Sequence, residues 1–203
     1  MKITLVGGSQ GTGARLAALA REAGHDVTIV SRAADAAGAG RVITGDATDP
    51  TVAAEAVTEA DAVVVTVGGA KGVPHQRTAV TKSVIKAMEE AGVRRLLVQS
   101  SLGAGDSTSQ LPGPIGLITR LLLAKPLADH NEQEAAVRTS GLDWTVVRPT
   151  GLTDKRPTGA WRALEVADQG RLGGTITRAD LAAYMLRVLE DDATIGKAIG
   201  VSN

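Results

Sequence analysis

A glycine-rich turn set between an apolar strand and an amphipathic helix constrains this chain more than any other feature. Residues 2–32 read KITLVGGSQGTGARLAALAREAGHDVTIVSR. Residues 2–6 predict a strand, and Gly7, Gly8, Gly11 and Gly13, with Ser9, Gln10 and Thr12 between them, predict a sharp turn that exposes N–H groups where a helix begins. Ala14, Leu16, Ala17, Leu19 and Ala20 give that helix one apolar side, Gly24 ends it, and residues 27–30 predict the next strand. Unpaired N–H groups and the helix dipole both favour an anion at such a turn, so the unit predicts a cradle for the pyrophosphate of a dinucleotide.

The end of the second strand distinguishes one nicotinamide cofactor from the other. A carboxylate there holds the ribose 2′-hydroxyl of NAD and repels the 2′-phosphate of NADP. Here the strand ends in Ser31 and Arg32, and no acid follows until Asp35. A planar guanidinium beside a hydroxyl suits a phosphate, so NADP(H) is expected in preference to NAD(H).

Strand and helix patterns go on alternating through the chain. Strands are predicted at 41–44, 62–67, 95–99, 143–148 and 198–201, and helices at 50–58, 74–90, 115–124, 127–139 and 178–189. Alternation of this kind predicts a Rossmann-like α/β fold, a doubly wound parallel sheet with helices on both faces. At 203 residues the chain predicts a single NAD(P)-binding domain over 1–203, with a small substrate-side region at about 149–176. Segment 102–114, rich in Gly, Pro and Ser, reads as a mobile lid, and Arg94-Arg95 as a solvated turn. Trp144 is expected in the core, Trp161 near a cleft, and Thr177 with Asp180 in a capping box.

Composition narrows the chemistry. With no Cys there is neither thiolate catalysis nor a cysteine-ligated metal, and the three His residues have no paired spacing, so no metal site is expected. A formal net charge of zero predicts no attraction to nucleic acid or to an anionic membrane. No apolar run reaches the length of a bilayer span and no leader pattern opens the sequence, which predicts a cytoplasmic protein, monomeric or a small homo-oligomer.

In an open parallel sheet, ligands sit beyond the carboxyl ends of the strands. That rule selects the glycine turn, Ser31 and Arg32, Asp46 and Ala47, Val67 to Gly69, Ser100 and Ser101, and Pro149 and Thr150. With these in view, GGSQGTG, the Arg after the second strand, GDATD, VTVGG, VQSS, SGLDWTVVRP and ITRADLA resemble the atypical short-chain dehydrogenase/reductases. The likeness is to their NAD(P)H-binding, NmrA-like group, nearest the biliverdin reductase B and flavin reductase type. In related branches the middle glycine sits one place earlier, where this chain has Gln10.

The resemblance implies that Asp46 and Ala47 meet the adenine, that Gly68 and Gly69 pass under the ribose and pyrophosphate with Val67 leading in, and that Ser101, beside Ser100, lies near the nicotinamide with Pro149 and Thr150. Two departures stand out. The Tyr-x-x-x-Lys pair of the superfamily is absent, since Leu121 precedes Lys125 by four and the sole tyrosine is Tyr184; and Thr150 stands where biliverdin and flavin reductases have His. Ser101 alone is a poor acid, with Lys125 and His130 as possible helpers. A ketone would need a tuned proton donor, whereas a flavin or quinone delocalises the charge that hydride brings. The expectation is therefore an NADPH-dependent reductase of a flavin, quinone or similar planar acceptor. The alternative is an NADP-binding redox sensor without turnover.

Overall fold

The computed structural model describes residues 1–33, 40–69, 73–111 and 124–203, with the side chains of 124–126 left out. Its elements run β1 (Lys2–Val6), α1 (Gly11–Glu22), β2 (Asp26–Ser31), β3 (Arg41–Thr44), α2 (Pro50–Val57), β4 (Ala62–Val65), α3 (Gln76–Ala91) and β5 (Arg95–Gln99). Then come α4 (Ala124–Thr139), β6 (Asp143–Pro149), β7 (Gly151–Thr153), β8 (Arg162–Glu165), β9 (Thr175–Thr177), α5 (Arg178–Leu189) and β10 (Lys197–Ser202). The expected helix at 115–124 falls almost wholly outside the described residues.

Eight strands form one sheet in the order β3-β2-β1-β4-β5-β6-β10-β8, parallel except where β8 runs against β10. This is the Rossmann-like α/β architecture. The chain winds outward from β1 through β2 to β3, then crosses to β4 on the other flank, so the strand order reverses between β1 and β4. In β4 every residue of AVVV is buried, because a central parallel strand is covered on both faces.

Alternation along the strands sorts side chains into two cores. Ile3, Leu5, Val64, Leu97 and Val147 face α1 and α5, whereas Val6, Val63, Leu96, Val98 and Val146 face α2, α3 and α4. Arg95 shares its face with Leu97 and is buried, not part of a solvated turn. It donates from Nη2 to the Val188 carbonyl at 2.7 Å and from Nε to the Leu189 carbonyl at 3.3 Å, satisfying carbonyls that α5 leaves open at its end. Nη1 adds the Asp143 carbonyl at 3.0 Å and Thr145 Oγ1 at 2.8 Å.

The lid, the capping box and the place of Trp144 differ from expectation, and segment 149–176 holds structure that the sequence does not announce. The described part of the predicted lid is a packed turn: Leu102, Ala104, Ser107 and Gln110 are buried, and Ser107 Oγ donates to the Ala104 carbonyl at 2.6 Å. Segment 149–176 contains three strands too short to show a period, with β7 and β9 paired as a separate ribbon. Only half of the capping box forms. Thr177 Oγ1 accepts from Asp180 N at 3.0 Å, but the Asp180 carboxylate turns to Thr158 N and Gly159 N, each at 2.9 Å. Trp144 is half-buried at a core edge, with Arg138 5.4 Å from its ring centre.

Arg95→Met should cost about 3 kcal/mol of stability, because several buried carbonyls lose their donor at once. Urea unfolding of the variant against the parent checks this.

Candidate functional site

At the switch point the carboxyl ends of β1, β2, β4 and β5 open onto a cavity of about 490 Å³. The glycine turn contributes Gly7, Ser9, Gln10, Gly11 and Thr12; β2 contributes Ser31 and Arg32; the turn after β3 contributes Asp46 and Ala47; and the segment after β4 contributes Val67, Gly68 and Gly69. Residues far apart in sequence therefore share one wall, as the rule for strand ends predicts.

Local geometry explains the glycines. Gly7 has φ +90°, and a Cβ there would stand 3.0 Å from the Val67 backbone nitrogen. At Gly13 a Cβ would collide with the Gly7 carbonyl oxygen and the Thr66 hydroxyl. A Cβ on Gly8 would press on Leu5 and Ile29, so Gly8 and Gly13 shape the turn from behind and leave the lining to their neighbours. Gln10, the N-cap of α1, makes no side-chain cap hydrogen bond, which leaves the first helical N–H groups turned to the cavity without that partner.

On the adenosine side expected from the sequence, Ser31 is buried and its Oγ accepts from Ala33 N at 3.1 Å, while Arg32 is exposed. Asp46 does hold its own turn: Thr48 donates to Asp46 Oδ1 from its N–H at 2.9 Å and its hydroxyl at 2.8 Å. These bonds, with the Arg32 charge nearby, lower the Asp46 pKa below its usual value. Asp35 lies outside the described residues.

The residues expected at the reacting end are not gathered into this cavity. Ser100 alternates onto the α4 face, where its Oγ donates to Glu134 Oε1 at 2.6 Å. Ser101 is half-buried and, among the described residues, its Oγ reaches only the Leu102 carbonyl, at 3.4 Å. Pro149 is buried at the end of β6, and Thr150, one residue on, bonds by its N–H to the Val201 carbonyl at 3.0 Å. The side chain of Lys125 lies outside the described residues.

His130 is buried on α4, with Nδ1 3.3 Å from Gln133 Oε1 and 3.5 Å from Ser100 Oγ. Desolvation, aided by the Arg77 charge, pushes its pKa down to about 4. Beneath it, Arg148 is fully buried against Glu134, with Nε 3.0 Å from Oε1, and its Nη1 lies 2.7 Å from Asp106 Oδ1. Arg148 follows Trp144 and Val146 on the same face of β6, so this pair ties α4 to the sheet.

Sequence reasoning overlooked Thr66, Gln76, Gln99, Leu152 and Arg178, all of which line the cavity. Gln99 was findable: it precedes Ser100, and the period of a strand sends the two to opposite faces. Leu152 and Arg178 come from β7 and the start of α5, brought in by the short ribbon that the sequence does not announce.

The sequence profile of the NAD(P)H-binding family matches residues 7–192. The chain belongs to that family. The yeast protein YMR090W of Saccharomyces cerevisiae is 31% identical over 155 residues, 73% of this chain; the match spans 65% of the yeast protein's length. The solved structure described as ChuY, an anaerobilin reductase from Escherichia coli O157:H7, has 30% identity and a TM-score of 0.84, covering 99% of this chain and 96% of that one. YhfK of Bacillus subtilis, described as an uncharacterized sugar epimerase, is 25% identical over 214 residues, covering all of this chain and 94% of its own.

As a member of the NAD(P)H-binding family, the chain has a cavity whose polar atoms fit a dinucleotide. Thr12 Oγ1 and Gln99 Oε1 are buried on its wall without a hydrogen-bond partner among the described residues. Buried polar atoms of this kind are costly unless something pairs with them. The family's cofactor offers both phosphate acceptors and amide donors. Among the described residues there is no cluster of three metal-ligating side chains, and no helix long and apolar enough to cross a membrane.

His130 generates a pH prediction. Its proton affinity is lower folded, about 4, than the ordinary 6.5, so between these values the unfolded chain binds more protons and stability falls as pH falls. The difference amounts to about 3 kcal/mol once pH has dropped from 7 to 4. His130→Gln should remove that component, so the variant gains on the parent steadily across this range in unfolding titrations.

Proposed function

We propose that the protein is an NADPH-dependent reductase that passes hydride to a flavin, a quinone or a similarly conjugated acceptor such as a linear tetrapyrrole. The observation that carries this reading is the cavity wall: among the described residues its only ionisable side chains are Arg32, Asp46 and Arg178. None is a tuned proton donor of the kind a ketone reductase needs, and Ser100 and His130, the described groups nearest the expected reacting end, are buried and engaged on the α4 face. When bound, NADPH supplies the hydride from its nicotinamide ring. The protein's part is then to bind, to orient and to keep the rings in register.

The residues divide that work by position. Arg32 presents a planar donor fork where a 2′-phosphate would favour it, with Ser31 beside it; this supports NADP over NAD. The N–H groups of α1 and the glycine turn hold the pyrophosphate. Ser101, Pro149 and Thr150 follow β5 and β6 at the nicotinamide side, where Ser101 orients ring or acceptor through its hydroxyl.

The sole tyrosine weighs against the epimerase described for YhfK. Tyr184 is buried in contact with Trp161, ring centres 5.7 Å apart, and burial raises its pKa to about 12. It is packed in the core beneath α5 with its proton held more firmly than usual, so it is out of place for proton abstraction. ChuY, described as an anaerobilin reductase, supports a tetrapyrrole among the acceptors to be tried.

Anaerobic and aerobic NADPH oxidation should show turnover with at least one of FMN, riboflavin, simple quinones or biliverdin. Tight NADP⁺ binding with no oxidation by any of them would leave a sensor instead. In the same assay Arg32→Ala should raise the NADPH KM about tenfold and leave that for NADH nearly unchanged, the loss of one charged hydrogen-bonding contact.

A further inference from the structure

The Arg178 guanidinium lies on the cavity wall beside the glycine turn. Its Nε is 3.7 Å from where a Cβ on Gly11 would stand. Nη1 pairs with Asp154 Oδ2 at 2.7 Å, and Arg15 Nη2 pairs with Oδ1 of the same carboxylate at 3.0 Å. Arg15 also donates to the Gly11 carbonyl at 2.9 Å, which ties the group to the first turn of α1. Two guanidiniums share one carboxylate, so a net positive charge remains beside the helix end. In the same turn Thr12 is only 5% exposed and its hydroxyl has no partner among the described residues.

Fold stability does not account for Arg178. It is the first residue of α5, where the positive end of the helix dipole disfavours a cation. Its partner Asp154 has 62% of its side chain exposed, and a pair so open to water contributes little. A cation placed against two helix N-termini calls for an anion with more than one charge.

We propose that Arg178, oriented by Asp154, binds the pyrophosphate of the dinucleotide together with the Thr12 hydroxyl. This rests on the NADPH reading above. Asp154 is a positioning residue: by holding Nη1 it fixes the plane of the guanidinium and leaves the remaining N–H groups for the phosphate oxygens. The loop that bears Asp154 is anchored further on, where Asp180 accepts from the Thr158 and Gly159 N–H groups. The short ribbon of β7 and β9 thereby becomes part of the cofactor site.

Calorimetric titration with NADP⁺ and with adenosine 2′-monophosphate, which lacks the pyrophosphate, tests the assignment. Arg178→Gln should weaken NADP⁺ about 10- to 100-fold, the range for charged hydrogen bonds, and change adenosine 2′-monophosphate by less than about twofold. Asp154→Asn should act in the same direction and more weakly, again on NADP⁺ alone. Arg178→Lys, which keeps the charge without the fork, should fall between parent and Gln variant and serves if the Gln variant does not fold. Unchanged NADP⁺ affinity in both arginine variants, or equal losses for both ligands, overturns the role of Arg178 while NADP⁺ binding by the parent leaves the NADPH reading standing. A parent that binds no NADP⁺ overturns both.

Discussion

The whole site depends on how closely the first turn of α1 approaches the strand ends. At position 13 even one added carbon would meet the Gly7 carbonyl and the Thr66 hydroxyl. Thr66 Oγ1 in turn lies 3.2 Å from that same carbonyl oxygen. The start of the helix, the end of β1 and the exit of β4 are thus packed as one unit, with no room for a side chain between them. Because β1 and β4 flank the reversal of strand order, the positive end of α1 is delivered to the crevice that opens where helices and strands part at the switch point.

Behind that unit the two faces of the sheet are fastened differently. On both faces the bulk of the contact is aliphatic, as a chain with no Phe and only three other aromatic residues requires. Each face also has one buried arginine from a strand. Arg95 joins β5 to the last turn of α5, and Arg148 joins β6 to Glu134 of α4. Burying such groups is favourable only when every donor finds an acceptor, so these contacts fix where the helix sits along the strand more tightly than side-chain packing alone. Both lie in the later half of the sheet, behind Gln99 and the segment that brings Leu152 and Arg178 to the cavity.

Much of this was legible in the sequence because it rests on periodicity. The glycine turn, the strands at 2–6, 41–44 and 95–99 and the helix at 178–189 all read directly, since their apolar spacing is unambiguous. What stayed hidden had no period to reveal it. Strands of three or four residues in 149–176 are held by neighbours and by Asp180, not by their own pattern. Charged residues misled for a related reason: Arg95 follows Arg94 and looks solvated as a pair, yet strand alternation buries one and exposes the other. Asp180 matched the capping spacing, but a loop more than twenty residues upstream competes for its carboxylate.

The same alternation bears on the chemistry. Ser100 and Ser101 are adjacent, yet Ser100 is committed to Glu134 behind the sheet and cannot serve the cavity without leaving that buried carboxylate short of a donor. His130, next to Ser100, is held neutral above about pH 4 by its burial. The groups best suited by type to move a proton are thus engaged in holding α4 to the sheet. On the proposed reading the protein contributes alignment and electrostatics, and the acceptor must carry its own capacity to spread charge and take its proton from water. Acceptor choice would then follow ring size and redox potential more than any one side chain, which accords with Leu152 and Gln99 on the wall and with Asp46, the acid there, committed to its own turn.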